Sequence, residues 1–250
     1  MRTNDMNKKY LVFIPVYNEK KSIRDILDQV RHLPDDLDIL VIDDGSTDTT
    51  PSILREITGI QVIYHGHNKG YGQTLIDGFE YAIRKGYEYI ITIDSDKQHQ
   101  PGEISKFIEA SEARDDDIIS GSRYLKPSQD AFLEAPEDRI RVNRRITEHI
   151  NRLTGYQLTD SFCGFKLYRV EALKRLQLTE TGYGMPLQLW IQAWKQNLKV
   201  SEVAVELIYF DHRAEQSPPT KTFRRYRYYL QIIKNETEKH ETFDISSTPR

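Results

Sequence analysis

Residues 90–101 read IITIDSDKQHQP. An apolar run stops at three oxygen-bearing side chains, Asp94, Asp96 and Gln98, spaced two apart. A continuous apolar run of this kind reads as a strand buried on both faces. Strands buried that way belong to helix-covered parallel sheets, in which ligands bind beyond the carboxyl ends. The stretch therefore asks for an α/β sheet and for a site at its carboxyl edge.

The flanking sequence repeats the pattern. Residues 10–15, 39–42, 61–64 and 117–120 are further strand candidates. Helical periodicity falls between them, at 22–33, 52–57, 72–85 and 103–110. Such alternation predicts a mainly parallel central sheet flanked by helices. Further on, 139–153 reads as a basic helix. Residues 186–196 read as a helix with Leu187, Trp190, Ile191 and Trp194 on one face. Val203, Val205 and Leu207 alternate like a half-buried strand, and 221–234 reads as a helix rich in Arg and Tyr. Residues 1–236 read as one domain, with halves at about 10–124 and 125–236. The polar residues 237–250 read as a disordered tail.

The chain has 250 residues, 35 Lys+Arg and 38 Asp+Glu, a net charge of −3. That balance argues against a nucleic-acid binder, which would be strongly basic. A single cysteine, Cys163, excludes an intrachain disulfide framework. No run approaches the roughly 18 apolar residues of a membrane span, and no signal-peptide layout is present. A cytoplasmic protein, either soluble or at most peripheral at the inner face of the membrane, is the expectation.

Asp94 and Asp96 at i and i+2 on an extended segment project to one side. Gln98 joins them if the extended geometry continues through Lys97. Hard oxygen donors suit Mg²⁺ or Mn²⁺. Mg²⁺ takes one or two carboxylates and completes its octahedron with water and substrate phosphate. A solvated acidic turn is the alternative for this motif alone, as polar turns are for the others. VIDDGSTD adds Asp43 and Asp44, which can accept hydrogen bonds from a base or ribose. NKGYG supplies glycines that let backbone approach a ligand. There is no Gly-x-x-x-x-Gly-Lys phosphate loop, and no Gly-x-Gly-x-x-Gly after the first strand. His65, His67 and His99 read as polar rim residues, and Cys163 as a small buried residue.

IPVYNEKKSI, VIDDGSTDTT, NKGYGQTLIDGF, TIDSDKQHQP, GSRY and TDSFCGFKLYR occur in the order seen in family 2 glycosyltransferases. The chain resembles that family over about residues 10–213, and most of all its dolichyl- and polyprenyl-phosphate sugar transferase branch. The resemblance implies a GT-A fold, a nucleotide-sugar donor (GDP-mannose or UDP-glucose), Mg²⁺ or Mn²⁺, and a polyprenyl phosphate acceptor. It implies that Pro15, Tyr17, Glu19, Asp43, Asp44, Lys69, Asp94 and Ser95 hold the donor. Asp94, Asp96 and Gln98 match the metal motif, and Asp96, Arg123, Asp160 and Arg213 are the implied catalytic set. Asp160 is either a base or the partner of an arginine. Arg144 or Arg145, with Thr147, falls where the lipid-phosphate branch carries a basic helix and a hydroxyl. The segment HRAEQSPPTK departs from that branch: Gln216 replaces a glycine, and Ser217 comes one place early before Pro218. A soluble or protein hydroxyl acceptor is therefore an alternative, as is a non-catalytic partner subunit. The helix at 221–234 is either a cationic surface helix or one that meets an anionic membrane.

Overall fold

The computed structural model describes residues 9–33, 37–125, 137–206, 208 and 219–239. Its first half follows the expected alternation: β1 (Tyr10–Val16), α1 (Ile23–Arg31), β2 (Asp38–Asp43), α2 (Thr50–Glu56), β3 (Gln61–Tyr64), α3 (Tyr71–Lys85) and β4 (Tyr89–Thr92). A 3-10 turn at Pro101–Glu103 leads into α4 (Ile104–Ala113) and β5 (Ile118–Ser122). The second half holds α5 (Glu137–Thr154), β6 (Lys166–Arg169), α6 (Val170–Leu173), α7 (Met185–Lys195), β7 (Val200–Ala204) and α8 (Pro219–Glu238).

The seven strands form one sheet in the order β3-β2-β1-β4-β6-β5-β7. Because strand side chains alternate, β1 feeds two cores. Leu11 and Phe13 pack on the side of α3, α5, α7 and α8. Val12 and Ile14 pack against α1 and α4 on the other side. This double burial is why β1 reads as an unbroken apolar run.

The sheet is mainly parallel, as expected; among the described strands β6 alone runs antiparallel, to both β4 and β5. The connection after α5 returns to the carboxyl edge, where Lys166 pairs with Thr92, so the next strand must run back. Three other expectations need correction. First, β7 occupies Val200–Ala204 rather than 203–207, parallel to β5. Second, α8 continues through Thr237 and Glu238, into the expected tail. Glu236 holds it there: its carboxylate is buried and accepts from Gln192 Nε2 (2.7 Å) and Gln188 Nε2 (2.9 Å) of α7. Third, Trp194, expected on one face with Leu187, Trp190 and Ile191, is exposed while those three are buried. The rest of the expected tail, 240–250, lies outside the described residues.

Candidate active site

Every strand but β6 ends at the carboxyl edge, and β6 begins there. The loops after β1, β2, β3, β4 and β5 thus meet the segment that precedes β6. These are the six motif segments singled out in the sequence.

The first three loops brace one another. Asn18 adopts a left-handed conformation (φ 57) that asparagine tolerates. Its Oδ1 accepts from Thr47 N (2.8 Å) and Asp48 N (3.2 Å), and its own N–H donates to Ser46 Oγ (2.8 Å). Sequence reasoning missed this asparagine, although a turn asparagine after a strand is itself a signal. Asp43 is buried and accepts from Ser46 N (3.0 Å). Asp44 is buried too, and its oxygens are occupied by Lys69 N (2.8 Å) and Gly70 N (2.9 Å). His65 Nδ1 lies 2.7 Å from Asp44 Oδ1, and its Nε2 lies 2.9 Å from Asp77 Oδ2. Asp44 therefore shapes the NKGYG loop rather than offering a free acceptor. Glu19 accepts from Ser22 Oγ (2.6 Å), and Ser95 Oγ donates to the Pro15 carbonyl (2.9 Å), tying β4 to β1. Tyr17 is exposed, and Lys69 Nζ reaches Asp77 (3.3 Å) at the rim.

At the end of β4, Asp94 accepts from the Tyr71 hydroxyl (3.0 Å). Burial, and next the charge of Asp96, push the Asp94 carboxyl up to about 6. Lys166 and Arg123 lie close enough to temper that rise. Lys97 is left-handed (φ 64), so the chain reverses there and the extended geometry through Gln98 is lost. It is the backbone N–H of Gln98 that reaches Asp96 Oδ1 (3.0 Å). Among the described residues no cluster of three His, Cys, Asp or Glu could hold a metal. The Asp94–Asp96 pair nonetheless fits Mg²⁺ or Mn²⁺, which need only one or two carboxylates when water and phosphate complete the shell. A cation would also relieve the mutual repulsion that raises Asp94.

Arg123, just past β5, grips Asp160 in a bidentate pair: Nε to Oδ2 at 2.6 Å and Nη2 to Oδ1 at 3.0 Å. Asn143 Nδ2 of α5 donates to Oδ1 as well (2.8 Å). Burial alone would raise the Asp160 carboxyl, but the Arg123 charge and hydrogen bonds hold it at about 2. Of the two readings offered for Asp160, this geometry is that of an arginine's partner. The Thr147 hydroxyl donates to Asn143 Oδ1 (3.0 Å) and meets Ser161 Oγ (2.8 Å), so it anchors α5 to the Asp160 segment. A cavity of about 300 Å³ opens beside this network, lined by Tyr124, Ile140, Arg144, Thr147 and Glu148 among others. Arg144 faces the cavity; Arg145 is exposed and does not line it.

His65 and His99 are buried, not rim residues. His99 Nδ1 has no hydrogen-bond partner among the described residues, and burial pushes the imidazole down to about 3. Cys163 is fully buried, and burial pushes its thiol up to about 12, an inert state. Lys166 is buried as well, with Nζ donating to the Cys163 carbonyl and lying 5.5 Å from the Trp190 ring centre. Arg213 and the segment 212–218 lie outside the described residues.

A family profile described as "Glycosyl transferase family 2" matches residues 11–177. The polyprenol monophosphomannose synthase of Mycolicibacterium smegmatis is 29% identical over 79% of this chain and 77% of its own. The UDP-N-acetylglucosamine–dolichyl-phosphate N-acetylglucosaminyltransferase of Methanococcus voltae is 30% identical over 82% of this chain and 88% of its own. Among solved structures, glucosyl-3-phosphoglycerate synthase from Mycobacterium tuberculosis, in complex with Mn²⁺, UDP and phosphoglyceric acid, superposes with a TM-score of 0.71. It shares 18% identity, over 94% of this chain and 80% of that one, and so speaks for the fold alone.

Proposed function

Because the chain belongs to glycosyl transferase family 2 and is a glycosyltransferase, we propose that it moves one hexose, with inversion, from GDP-mannose or UDP-glucose to a polyprenyl phosphate. The observation that carries the reading is the meeting of Asp94, Asp96 and Arg123 at the carboxyl edge, where the charges of Asp96 and Arg123 both act on Asp94. The two relatives named for polyprenol and dolichyl phosphate support the acceptor class. The enzyme would work as one domain at the cytoplasmic membrane face. No helix among the described residues is long and apolar enough to cross a membrane.

Asp94 and Asp96 would hold Mg²⁺ or Mn²⁺, which neutralises the donor diphosphate and improves the leaving group. Tyr17, Glu19, Asp43 and Lys69 border the nucleotide, on a floor that Asp44, Ser95 and Asn18 keep rigid. Arg123 is oriented by Asp160 through Nε and Nη2, which leaves Nη1 for phosphate oxygens. The acceptor oxygen attacks the anomeric carbon from the face opposite the nucleotide. A phosphate oxygen is already anionic near neutral pH, so it needs positioning rather than a base. The commitment of Asp160 to Arg123 accords with that need. Arg144, at the cavity beside α5, would meet the acceptor phosphate.

The test is thermal unfolding with GDP, UDP, CDP or TDP, each with and without Mn²⁺. A ligand of the folded state raises the midpoint by mass action. A metal-dependent rise with one nucleotide names the donor class, and transfer from that donor to polyprenyl phosphate completes the case. Asp94→Ala and Asp96→Ala should stay folded and lose both the rise and the transfer. No rise with any nucleotide would refute the donor site, and transfer to a soluble hydroxyl in preference to lipid would refute the acceptor.

A further inference from the structure

Asp94 is held on both sides by groups that the metal reading does not use. Tyr71, the first residue of α3, donates its hydroxyl to Oδ1 (3.0 Å). Among the described residues this is the hydrogen bond that the Asp94 side chain makes. On the other side the carboxylate lies over Gly164, where an alanine Cβ would come within 2.6 Å of Cγ and closer still to Oδ2. One oxygen is tethered and the other lies on bare backbone, so the carboxylate plane has one orientation.

The tether is itself held. The Tyr71 ring stacks on Tyr183, with centroids 5.5 Å apart and planes 15° from parallel. Tyr183 is 72% exposed, so burial in a core does not account for an aromatic ring at this position. Its segment is clamped on α3: Gln73 N donates to Thr181 O (3.2 Å), and a Cβ on Gly70 would meet that same oxygen at 2.5 Å. The far side of the segment is fixed by Glu180, whose Oε1 accepts from Gly182 N (3.0 Å) and from the Tyr228 hydroxyl of α8 (2.5 Å).

We propose that Tyr71 is the positioning residue of the metal-binding carboxylate, and that the stacked Tyr183 ring holds Tyr71 in register. The inference rests on the metal reading of Asp94 and Asp96. Partners of this kind orient a ligating carboxylate, and their loss costs about 10–100-fold in metal affinity. Tyr71→Phe removes the hydroxyl and keeps the stack. Tyr183→Phe keeps the ring, and Tyr183→Ala removes it.

The experiment titrates the full chain with Mn²⁺, alone and with saturating GDP or UDP, and counts free Mn²⁺ by electron paramagnetic resonance. Tyr71→Phe should weaken Mn²⁺ binding about 10–100-fold with an unchanged metal-free unfolding midpoint. Tyr183→Ala should weaken it in the same direction, and Tyr183→Phe should restore wild-type binding. Tyr71→Phe binding Mn²⁺ as wild type does would overturn the proposal, as would a loss of stability with no loss of metal affinity. Equal damage from Tyr183→Phe and Tyr183→Ala would overturn the role of the stack, a result that stands even if Tyr71→Phe does not fold. A wild-type chain that binds no Mn²⁺ with either nucleotide would instead remove the metal reading, and this inference with it.

Discussion

Gly164→Ala tests the site without touching a charge. The backbone there is pinned by Thr92 Oγ1, which donates to Gly164 O (2.7 Å). The glycine does not occupy the left-handed region, so alanine strains no dihedral. The new methyl would lie 2.6 Å from Asp94 Cγ. Carbon atoms pack at about 3.5–4.0 Å, so the carboxylate must retreat by about 1 Å. The Tyr71 hydroxyl resists that retreat. Overpacking costs about 1–3 kcal/mol of stability, a fall of a few degrees in Tm. A displacement of about 1 Å in a catalytic group lowers the rate about 100-fold, equivalent to about 2.7 kcal/mol of transition-state stabilisation. The assay is nucleoside diphosphate release at varied donor and Mn²⁺, beside a thermal melt. Gly102→Ala is the control, because a Cβ there meets nothing within 4 Å. A Gly164→Ala protein with kcat/KM within about threefold of wild type and unaltered Mn²⁺ affinity would refute the claim that the Asp94 position governs metal binding.

Three further outcomes follow from contacts already described. Asp160→Asn leaves the Arg123 guanidinium buried without a counter-charge and should cost about 3–5 kcal/mol in urea unfolding. Asp160 titrates near 2 when folded, below its ordinary 3.8, so its contribution to stability is present above about pH 4 and is lost as pH falls through about 2; the Asn variant should lack that acid limb. Asp94 titrates near 6 in the metal-free fold, above its ordinary value, so its stabilising proton is fully present below about pH 4 and is lost as pH rises through about 6. Mn²⁺ must displace that proton, and its apparent affinity should fall about tenfold per pH unit below about 6, read by the same free-Mn²⁺ titration. Glu236→Ala removes the buried acceptor of Gln188 and Gln192 and should cost about 2–3 kcal/mol in a urea melt, while turnover per folded molecule holds.

What the sequence made legible was local. The parallel part of the sheet follows from five short runs, of which those of β1, β2, β4 and β5 are buried nearly throughout and that of β3 lies at the sheet edge. The motif loops follow from where those runs stop. β6 escaped because it has only four residues, among them a buried lysine that breaks the apolar pattern. The reversal at Lys97 escaped because a left-handed lysine carries no compositional signal. The commitments of Asp44 and Asp160 depend on partners 25 to 37 residues away, Lys69 and Arg123, and no spacing rule brings those together. Thr237 and Glu238 looked like the start of a polar tail because the contacts that hold that helix end run from Glu236 to α7, more than 40 residues earlier.

The place of β6 also sets a timetable for the nascent chain. β3, β2, β1 and β4 are contiguous in the sheet and complete once Thr92 has left the ribosome. β5 emerges next, but both of its neighbours, β6 and β7, are synthesised after it. At about 5–20 residues per second, the interval between Ser122 and Lys166 lasts roughly 2–9 s. For that interval β4 presents an open hydrogen-bonding edge and β5 has no partner at all, which is the condition under which chains pair with their neighbours on a polysome. A ribosome stalled between α5 and β6 would therefore hold a chain that a chaperone must shield, whereas one stalled just after β4 would hold four strands already joined.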